Sequence, residues 1–328
     1  MPATLTLQEI YLRVAPQLRD VEEEFRQQID SDIEVIRKAS RYVIESGGKR
    51  IRPALLLLTT RLFNYSGHLA TVFASIVELI HTATLIHDDI VDEADTRRGQ
   101  QSMNRRWGNE ITVLLGDYLY IKSMARALDQ NNLRLLNILS RATLRMVEGE
   151  IAQLTRNGRL DVTADEHLDL VSRKTAGLFS ACCEIGAVVA GAREEEIEAL
   201  RDYGMDLGMA FQIIDDVLDF TSTQSTLGKP VVNDLKEGRL TLPLIYLLRK
   251  DDGESRAMIG TVLRERGFVT ISKERILAAL AEHRTIDETL DLARAFGHSA
   301  QKRLAIFPDS EIKEALFSLP TFIIERDR

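Results

Sequence analysis

Apolar residues recur at intervals of three and four positions along most of this 328-residue chain. That spacing is expected of helices that each bury one face, and no two β-rich runs are joined by a hairpin dipeptide. The interval from Ala54 to Lys229 contains no proline, so long unbroken helices can form there. The pattern predicts an all-α fold without a substantial sheet, formed as a single domain over residues 1–328.

The same pattern predicts where helices begin and end. Ser31 with Glu34, and Thr163 with Glu166, have the spacing of capping boxes, in which a hydroxyl and an acid satisfy N–H groups at the start of a helix. The predicted helices cover residues 5–29, 32–46, 53–65, 68–93, 109–130, 132–157, 163–190 and 193–220. Further helices are expected after Pro243.

The helical pattern lapses after Asp219, in a polar stretch that runs to Gly238 and is too long for a simple connection. The stretch contains Lys229 and Lys236, and Arg239 directly follows it. Long loops in compact domains commonly carry function, so this one is interpreted as a lid over the second of the two acidic motifs described below. A solvated linker is the alternative.

Composition narrows the class of protein. The formal net charge of −8 argues against a nucleic-acid-binding protein. Cys182 and Cys183 are adjacent in a helical run and are interpreted as core residues, so no disulfide framework is expected. The N-terminus lacks the features of a signal peptide, and no apolar run is judged to approach the length of a membrane span. A cytoplasmic protein is therefore expected.

Two acidic motifs carry the candidate chemistry. Each reads Asp-Asp-x-x-Asp after an apolar helical run, so carboxylates four residues apart share a helix face and repel one another. The six residues are Asp88, Asp89, Asp92, Asp215, Asp216 and Asp219. If the two helices face each other, divalent cations are required among the carboxylates, and Mg²⁺ suits such ligands and is commonly completed by phosphate oxygens. A diphosphate site is predicted; two solvated acidic helix ends are the alternative.

Basic residues lie where they could bind the opposite side of a diphosphate. The run Gly-Gly-Lys-Arg-Ile-Arg-Pro at 47–53 lies between two helices, and two arginines directly follow the first acidic motif. The four side chains interpreted as anion ligands are Lys49, Arg52, Arg97 and Arg98. Arg50, in contrast, is expected to be a solvated charge at a helix end.

Weaker candidates lie on the predicted helices. His81 is seven residues before Asp88 and so nearly on the same helix face, although a histidine there is more often a packing residue. The Lys174-Thr175 pair and Gln212 could add hydrogen bonds to phosphate oxygens.

Taken together and in this order, the motifs resemble those of the trans-prenyltransferases, the isoprenyl diphosphate synthases. The resemblance extends from Gly47 to Pro243 and is greatest to bacterial long-chain synthases of the octaprenyl diphosphate type. It implies an antiparallel helical bundle around a central active-site cavity (the isoprenoid synthase fold), a homodimer, and three Mg²⁺ ions when substrate is bound. The six aspartates would be the metal ligands for an allylic diphosphate.

The resemblance also implies roles for the other residues. Isopentenyl diphosphate would be bound by Lys49, Arg52, His81 and Arg98. The allylic diphosphate would be bound by Arg97, Lys174, Thr175, Gln212 and Lys229. Catalysis would be electrostatic and positional, with no side-chain nucleophile, and would depend most on Asp88, Asp92, Arg97, Lys174, Asp215 and Lys229. Arg239 departs from the family, which usually has lysine there, so its contribution to diphosphate binding is open.

Product length is the last expectation. Ala83 and Thr84 lie about one helical turn before Asp88, where short-chain members of the family have bulky aromatic residues. Small side chains favour an open tunnel and a long product, octaprenyl diphosphate, built on a farnesyl or geranylgeranyl primer for a quinone side chain. A shorter-chain synthase and a non-catalytic subunit of a heteromeric synthase are the alternatives. A terpene cyclase is disfavoured because it would not need the second Asp-rich motif.

Overall fold

The structure is a computed structural model that describes residues 5–45, 47–97, 99–222, 232–250 and 253–326. In these ranges the regular structure is helical apart from a two-residue antiparallel ribbon, β1 (Thr96–Arg97) with β2 (Gln100–Gln101). The predicted all-α class is therefore confirmed. In chain order the helices are α1 (Leu7–Leu12), α2 (Ala15–Gln28), α3 (Glu34–Glu45), α4 (Ile51–Leu62), α5 (His68–Val91), α6 (Met103–Trp107), α7 (Asn109–Leu128), α8 (Leu133–Arg156), α9 (Ala164–Val171), α10 (Gly177–Val189), α11 (Glu194–Thr221), α12 (Asn233–Lys236), α13 (Leu242–Lys250), α14 (Glu254–Glu265), α15 (Lys273–Glu282), α16 (Thr285–Arg303) and α17 (Glu311–Glu325).

The centre of the fold is formed by α4, α5, α10 and α11. Helix α5 packs against α2, α4 and α7, while α10 packs against α4, α8 and α11. Helix α5 is long and apolar enough to cross a membrane, so the expectation that no run approaches that length is wrong. However, 78% of its apolar stretch is buried inside the fold, as in the core helix of a globular protein. Cys182 and Cys183 are fully buried in α10, which confirms them as core residues.

Two predicted helices are interrupted. The helix predicted over 5–29 is α1 followed by α2. Pro16 lies in the first turn of α2, where a backbone N–H would have no partner within the helix, so its missing N–H costs no helical hydrogen bond. The helix predicted over 163–190 is α9 followed by α10, and a wider π-helical turn, Ser172–Ala176, joins them. Such turns are frequent at functional sites, and this one carries two of the predicted substrate ligands.

One of the two predicted capping boxes is present. At the start of α9, the Thr163 hydroxyl accepts the Glu166 N–H and the Glu166 carboxylate accepts the Thr163 N–H. The prediction at Ser31 is wrong because α3 begins only at Glu34. The Ser31 hydroxyl instead accepts a hydrogen bond from the Ile33 N–H at 3.2 Å, within the turn that precedes the helix.

Two glycines allow close packing around the π-helical turn. A Cβ atom at Gly149 of α8 would lie 3.1 Å from the backbone nitrogen of Lys174, and one at Gly208 of α11 would lie 2.5 Å from the Cα of Ala176. Side chains at these positions would push the helices apart. The turn is therefore held between α8 and α11, which fixes the position of Lys174 at the functional site.

Part of the predicted lid lies outside the described residues, as do Lys229 and Arg98. Where the structure resumes at residue 232, the chain forms the short helix α12 rather than continuing as a loop to Gly238. Arg239, three residues after the end of this helix, reaches the first acidic motif.

Candidate active site

The first acidic motif lies at the C-terminal end of α5. Burial raises the pKa of Asp88 to about 6, and the carboxylates of Glu150 and Asp92 add to the shift. The positive charges of Lys174 and Arg97 oppose it. Asp88 therefore lies where two further acids and two basic residues converge.

The other two acids of this motif contact arginines from outside α5. Asp89 is only 2% exposed and accepts a hydrogen bond from Nε of Arg97, which lies on β1. Asp92 caps the end of α5 and accepts one from Arg239. The carboxylates predicted to repel one another are thus partly neutralised by the protein itself.

The second acidic motif lies near the C-terminal end of α11. Asp215 accepts a hydrogen bond from Arg326, which follows α17 near the end of the chain. The Arg326 guanidinium also lies 4.2 Å from the centre of the Phe211 ring and donates to the Phe211 carbonyl at 3.2 Å. This arginine is 7% exposed, so its charge is neutralised within the fold rather than by solvent.

Asp216 and Asp219 are more deeply buried than Asp215. Asp216 is 3% exposed and accepts hydrogen bonds from Nε2 of His167 at 2.8 Å and Nε2 of Gln212 at 3.0 Å. Asp219 is 1% exposed, and its two carboxylate oxygens accept the backbone N–H groups of residues 233 and 234 at 3.2 Å each. Asp219 therefore fixes the start of α12 to α11, and its role as a metal ligand stays a prediction.

A cleft of about 360 Å³ lies beside the second motif. Its lining includes Lys174, Thr175, Gln212, Asp215, Asp216, His167 and Arg239. Lys174, whose charge acts on Asp88, pairs with Glu150 at 2.5 Å, and Arg239 reaches Asp92. These two cations connect the cleft to the first motif, so the structure brings both Asp-Asp-x-x-Asp motifs to one site.

A second and narrower pocket of about 50 Å³ lies on the other side of the first motif. Asp89 and Arg97 line it together with Gly47 and His81. Lys49 is exposed, and Arg52 stacks over the Phe179 ring at 4.9 Å; neither is among the lining residues. The structure therefore places His81 and Arg97 together in this pocket, with Lys49 just before α4 and Arg52 in its first turn.

Arg50 is not the solvated charge expected from the sequence. Its side chain is 15% exposed and pairs with Glu22 at 2.5 Å and Glu78 at 2.7 Å, above the ring of Phe25. The left-handed backbone at residue 50 (φ 50°) precedes α4. With acids from α2 and α5 as partners, the guanidinium lines the narrow pocket instead of facing solvent.

The two residues predicted to control product length have different surroundings. Ala83 is 2% exposed and packs in an apolar cluster with Leu115 and Leu119 of α7. Thr84 is half-buried, and its hydroxyl donates to the His81 carbonyl at 2.8 Å. Their effect on product length stays a prediction.

The donor set fits divalent cations that bind together with a diphosphate. Among the residues that the structure describes, no three His, Cys, Asp or Glu side chains lie close enough to hold a metal ion on their own. Mg²⁺ commonly takes only one or two protein carboxylates and completes its shell with water and phosphate oxygens. The carboxylates of the two motifs meet at one site, and the pKa of Asp88 is raised by burial and by neighbouring acids, which suits that mode of binding.

Three residues of the site were missed by the sequence reasoning. Glu150 and His167 lie on helices that were predicted from apolar spacing. Glu150 comes near Asp88, and His167 near Asp216, only because of the way α8 and α9 pack in the fold. For His167 the sequence does indicate the position in the helix, since the residue directly follows the capping box that starts α9. Arg326 had none, because it lies 111 residues from its partner Asp215.

The fold and site define a class: an all-α transferase with two aspartate-rich motifs at one site. The chain belongs to the polyprenyl synthetase family, whose pattern matches residues 33–280. It is 35% identical to octaprenyl diphosphate synthase from Haemophilus influenzae over 98% of each chain. It is 34% identical to heptaprenyl diphosphate synthase component 2 from Geobacillus stearothermophilus, over 98% of this chain and all of that one.

A solved structure agrees with these relatives. Polyprenyl synthase from Caulobacter crescentus, crystallised with calcium and isoprenyl diphosphate, superimposes with a TM-score of 0.94 at 33% identity and full coverage of both chains. The isoprenoid synthase fold and the prenyltransferase class expected from the motifs are thereby confirmed.

Proposed function

We propose that this protein is a Mg²⁺-dependent, all-trans long-chain polyprenyl diphosphate synthase that makes octaprenyl diphosphate. It would condense an allylic primer, farnesyl or geranylgeranyl diphosphate, with successive isopentenyl diphosphates. The observation that carries the proposal is the cleft lined by Asp215 and Asp216, whose lining residues Lys174 and Arg239 connect it to the first aspartate-rich motif. The narrow pocket beside it, with His81 and Arg97, supports a separate site for the second diphosphate.

The protein's own groups account for most of the chemistry. Lys174 and Thr175, held on the π-helical turn, bind the allylic diphosphate and stabilise the charge that develops as it leaves. Arg97, which lines the narrow pocket beside Asp89, would help to hold the allylic diphosphate at the first motif. Mg²⁺ held by Asp88, Asp92, Asp215 and Asp216 would add Lewis-acid neutralisation of the leaving diphosphate. The allylic carbon–oxygen bond breaks, the isopentenyl double bond forms the new carbon–carbon bond, and a proton from a carbon next to the resulting cation passes to the released diphosphate.

An exposed apolar face supports assembly as a homodimer. Leu144, Val147, Ile151 and Leu154 follow one another at three- and four-residue spacing on α8, and each is 47–60% exposed. Neighbouring α7 adds Leu114 and Ile121, which are 64% and 63% exposed. A contiguous apolar face of this kind is typical of an interface, and a second copy of the chain is the partner proposed for it. A cytoplasmic location and a quinone side chain as destination complete the proposal.

Product analysis tests the proposal. The purified protein is incubated with Mg²⁺, labelled isopentenyl diphosphate and farnesyl diphosphate, and the dephosphorylated products are separated by length. A forty-carbon product is expected, whereas a product that stops at twenty carbons would establish the shorter-chain alternative. Activity only after addition of a second protein would establish the heteromeric alternative. Asp309→Ala removes a fully exposed carboxylate. It is the matched control for variants such as Asp88→Ala and Asp215→Ala, which remove a carboxylate of the site.

A further inference from the structure

His167 is a buried polar residue with no role in the reaction as described above. It is 5% exposed and lies in the first turn of α9, whose start is fixed by the capping box of Thr163 and Glu166. Arg156, the last residue of α8, donates to the Glu166 carbonyl at 2.7 Å. The imidazole is therefore positioned by local structure at the junction of two helices.

From this position His167 completes a chain of side-chain hydrogen bonds. Its Nε2 lies 2.8 Å from Oδ2 of Asp216, whose Oδ1 accepts a bond from Gln212 at 3.0 Å. The carbonyl oxygen of Gln212 accepts a bond from the Thr175 hydroxyl at 2.8 Å. All four residues line the cleft. The network thus extends from α9, through α11, to the π-helical turn.

The direction of each bond follows from the chemistry of the groups. An ionised carboxylate only accepts, so Nε2 of His167 carries the proton and donates it to Asp216. Burying a carboxylate as deeply as Asp216 is unfavourable unless donors satisfy its oxygens. His167 and Gln212 supply one donor to each oxygen and so fix the plane of the carboxylate. Without His167, Oδ2 would lose this donor, and Gln212 alone would orient the group.

We infer that His167 is a positioning residue of the diphosphate site. It holds the Asp216 carboxylate and, through Gln212, the Thr175 hydroxyl in the arrangement that receives a divalent cation with its diphosphate. The inference rests on the proposed function. Outer partners of metal ligands set ligand orientation, and their loss typically lowers metal affinity about 10–100-fold.

Three substitutions separate positioning from general packing. His167→Gln keeps an N–H donor near the position of Nε2, His167→Asn carries the same amide on a shorter side chain that does not reach Asp216, and His167→Leu removes the donor. Thr289→Val is the control. Thr289 is fully buried in α16 and lines neither pocket, and the substitution removes one hydrogen bond, from the Thr289 hydroxyl to the Thr285 carbonyl. Circular dichroism and thermal unfolding establish that each variant folds.

Binding of inorganic pyrophosphate in the presence of Mg²⁺ is measured by calorimetry on the full-length protein. We expect affinity to fall about 10–100-fold in His167→Leu and His167→Asn, to recover to within about threefold in His167→Gln, and to stay unchanged in Thr289→Val. If His167→Leu does not fold, the comparison of the glutamine and asparagine variants decides. Equal affinity in these two variants would overturn the inference.

The proposed function is judged separately in the same experiment. If the unsubstituted protein does not bind Mg²⁺ with pyrophosphate, or Asp215→Ala binds it equally well, the diphosphate site itself is wrong. If the unsubstituted protein binds and Asp215→Ala does not, while every His167 variant binds normally, only the positioning role is refuted.

Discussion

Replacing Arg239 with glutamine removes a cation that joins two parts of the site. These are the first acidic motif and the segment around α12, which follows the second acidic motif. The Arg239 guanidinium contacts Asp92, lies 3.0 Å from Glu237 and 3.7 Å from Asp234, and its side chain is 20% exposed. Burial opposes its charge, but the three carboxylates outweigh burial, so the pKa of Arg239 is raised above its ordinary value. Glutamine would leave those carboxylates close together without their shared cation.

The expected loss of stability follows from these contacts. Removing one partner of a buried ion pair costs about 3–5 kcal/mol, and the partial exposure of Arg239 favours the lower end of that range. An unfolding entropy of about 2.1 cal/mol/K per residue gives about 0.7 kcal/mol/K for the 328 residues. A loss of about 3 kcal/mol therefore lowers the Tm by about 4 °C. Arg239→Lys keeps the charge and loses only the forked geometry, so we expect a decrease of about 1–2 °C.

The assay is thermal unfolding followed by circular dichroism, in chelator and at one fixed protein concentration. Arg275→Gln is the matched control, because Arg275 pairs with Glu254 at 3.2 Å but both side chains are more than half exposed. Exposed pairs contribute about 0–1 kcal/mol, so this variant should unfold close to the unsubstituted protein. An Arg239→Gln variant that unfolds no earlier than Arg275→Gln would refute the assignment of Arg239 as a shared counter-ion.

Three further expectations concern activity and assembly. Asp88→Ala and Asp215→Ala should each lower kcat/KM more than about 100-fold in the prenyl-transfer assay, and near-normal turnover in either variant would reject the metal assignments. Ala83→Phe should shorten the product, at a cost of about 1–3 kcal/mol because residue 83 is tightly packed; an active variant with an unchanged product would reject the tunnel assignment. Leu144→Glu should convert the dimer to monomer in sedimentation experiments, and an unaltered dimer would place the interface elsewhere.

The sequence predicted the helices well because apolar spacing reports directly which face of each helix is buried. Helix α8 was predicted over 132–157 and is observed over Leu133–Arg156. The interruptions were missed for a physical reason. The π-helical turn Ser172–Ala176 packs closely between α8 and α11, and local periodicity does not record such tertiary contacts.

The acidic motifs were also predictable, since their spacing is local and occurs twice. Their partners were not. Arg239 lies 147 residues from Asp92, and Arg326 lies 111 residues from Asp215. No spacing rule connects side chains so far apart in the chain, so only the folded arrangement shows which arginine neutralises which acid. The same holds for Arg50, whose two partners come from separate helices.

These arginines change the interpretation of the repulsion predicted among the aspartates. The spacing of the aspartates predicts that divalent ions are needed to keep the acids together, but Asp89, Asp92 and Asp215 each contact an arginine of the protein. At the proposed site, a metal–diphosphate would compete with those arginines for the same carboxylate oxygens. The free energy of separating each arginine–aspartate pair would then be subtracted from the intrinsic affinity for the metal–diphosphate. The diphosphate offers the released guanidinium groups new partners, whereas a cation alone does not. Divalent ions should therefore bind far more weakly without pyrophosphate than with it, and calorimetry with and without pyrophosphate tests this. Equal affinity in both titrations would show that the arginine contacts do not oppose metal binding.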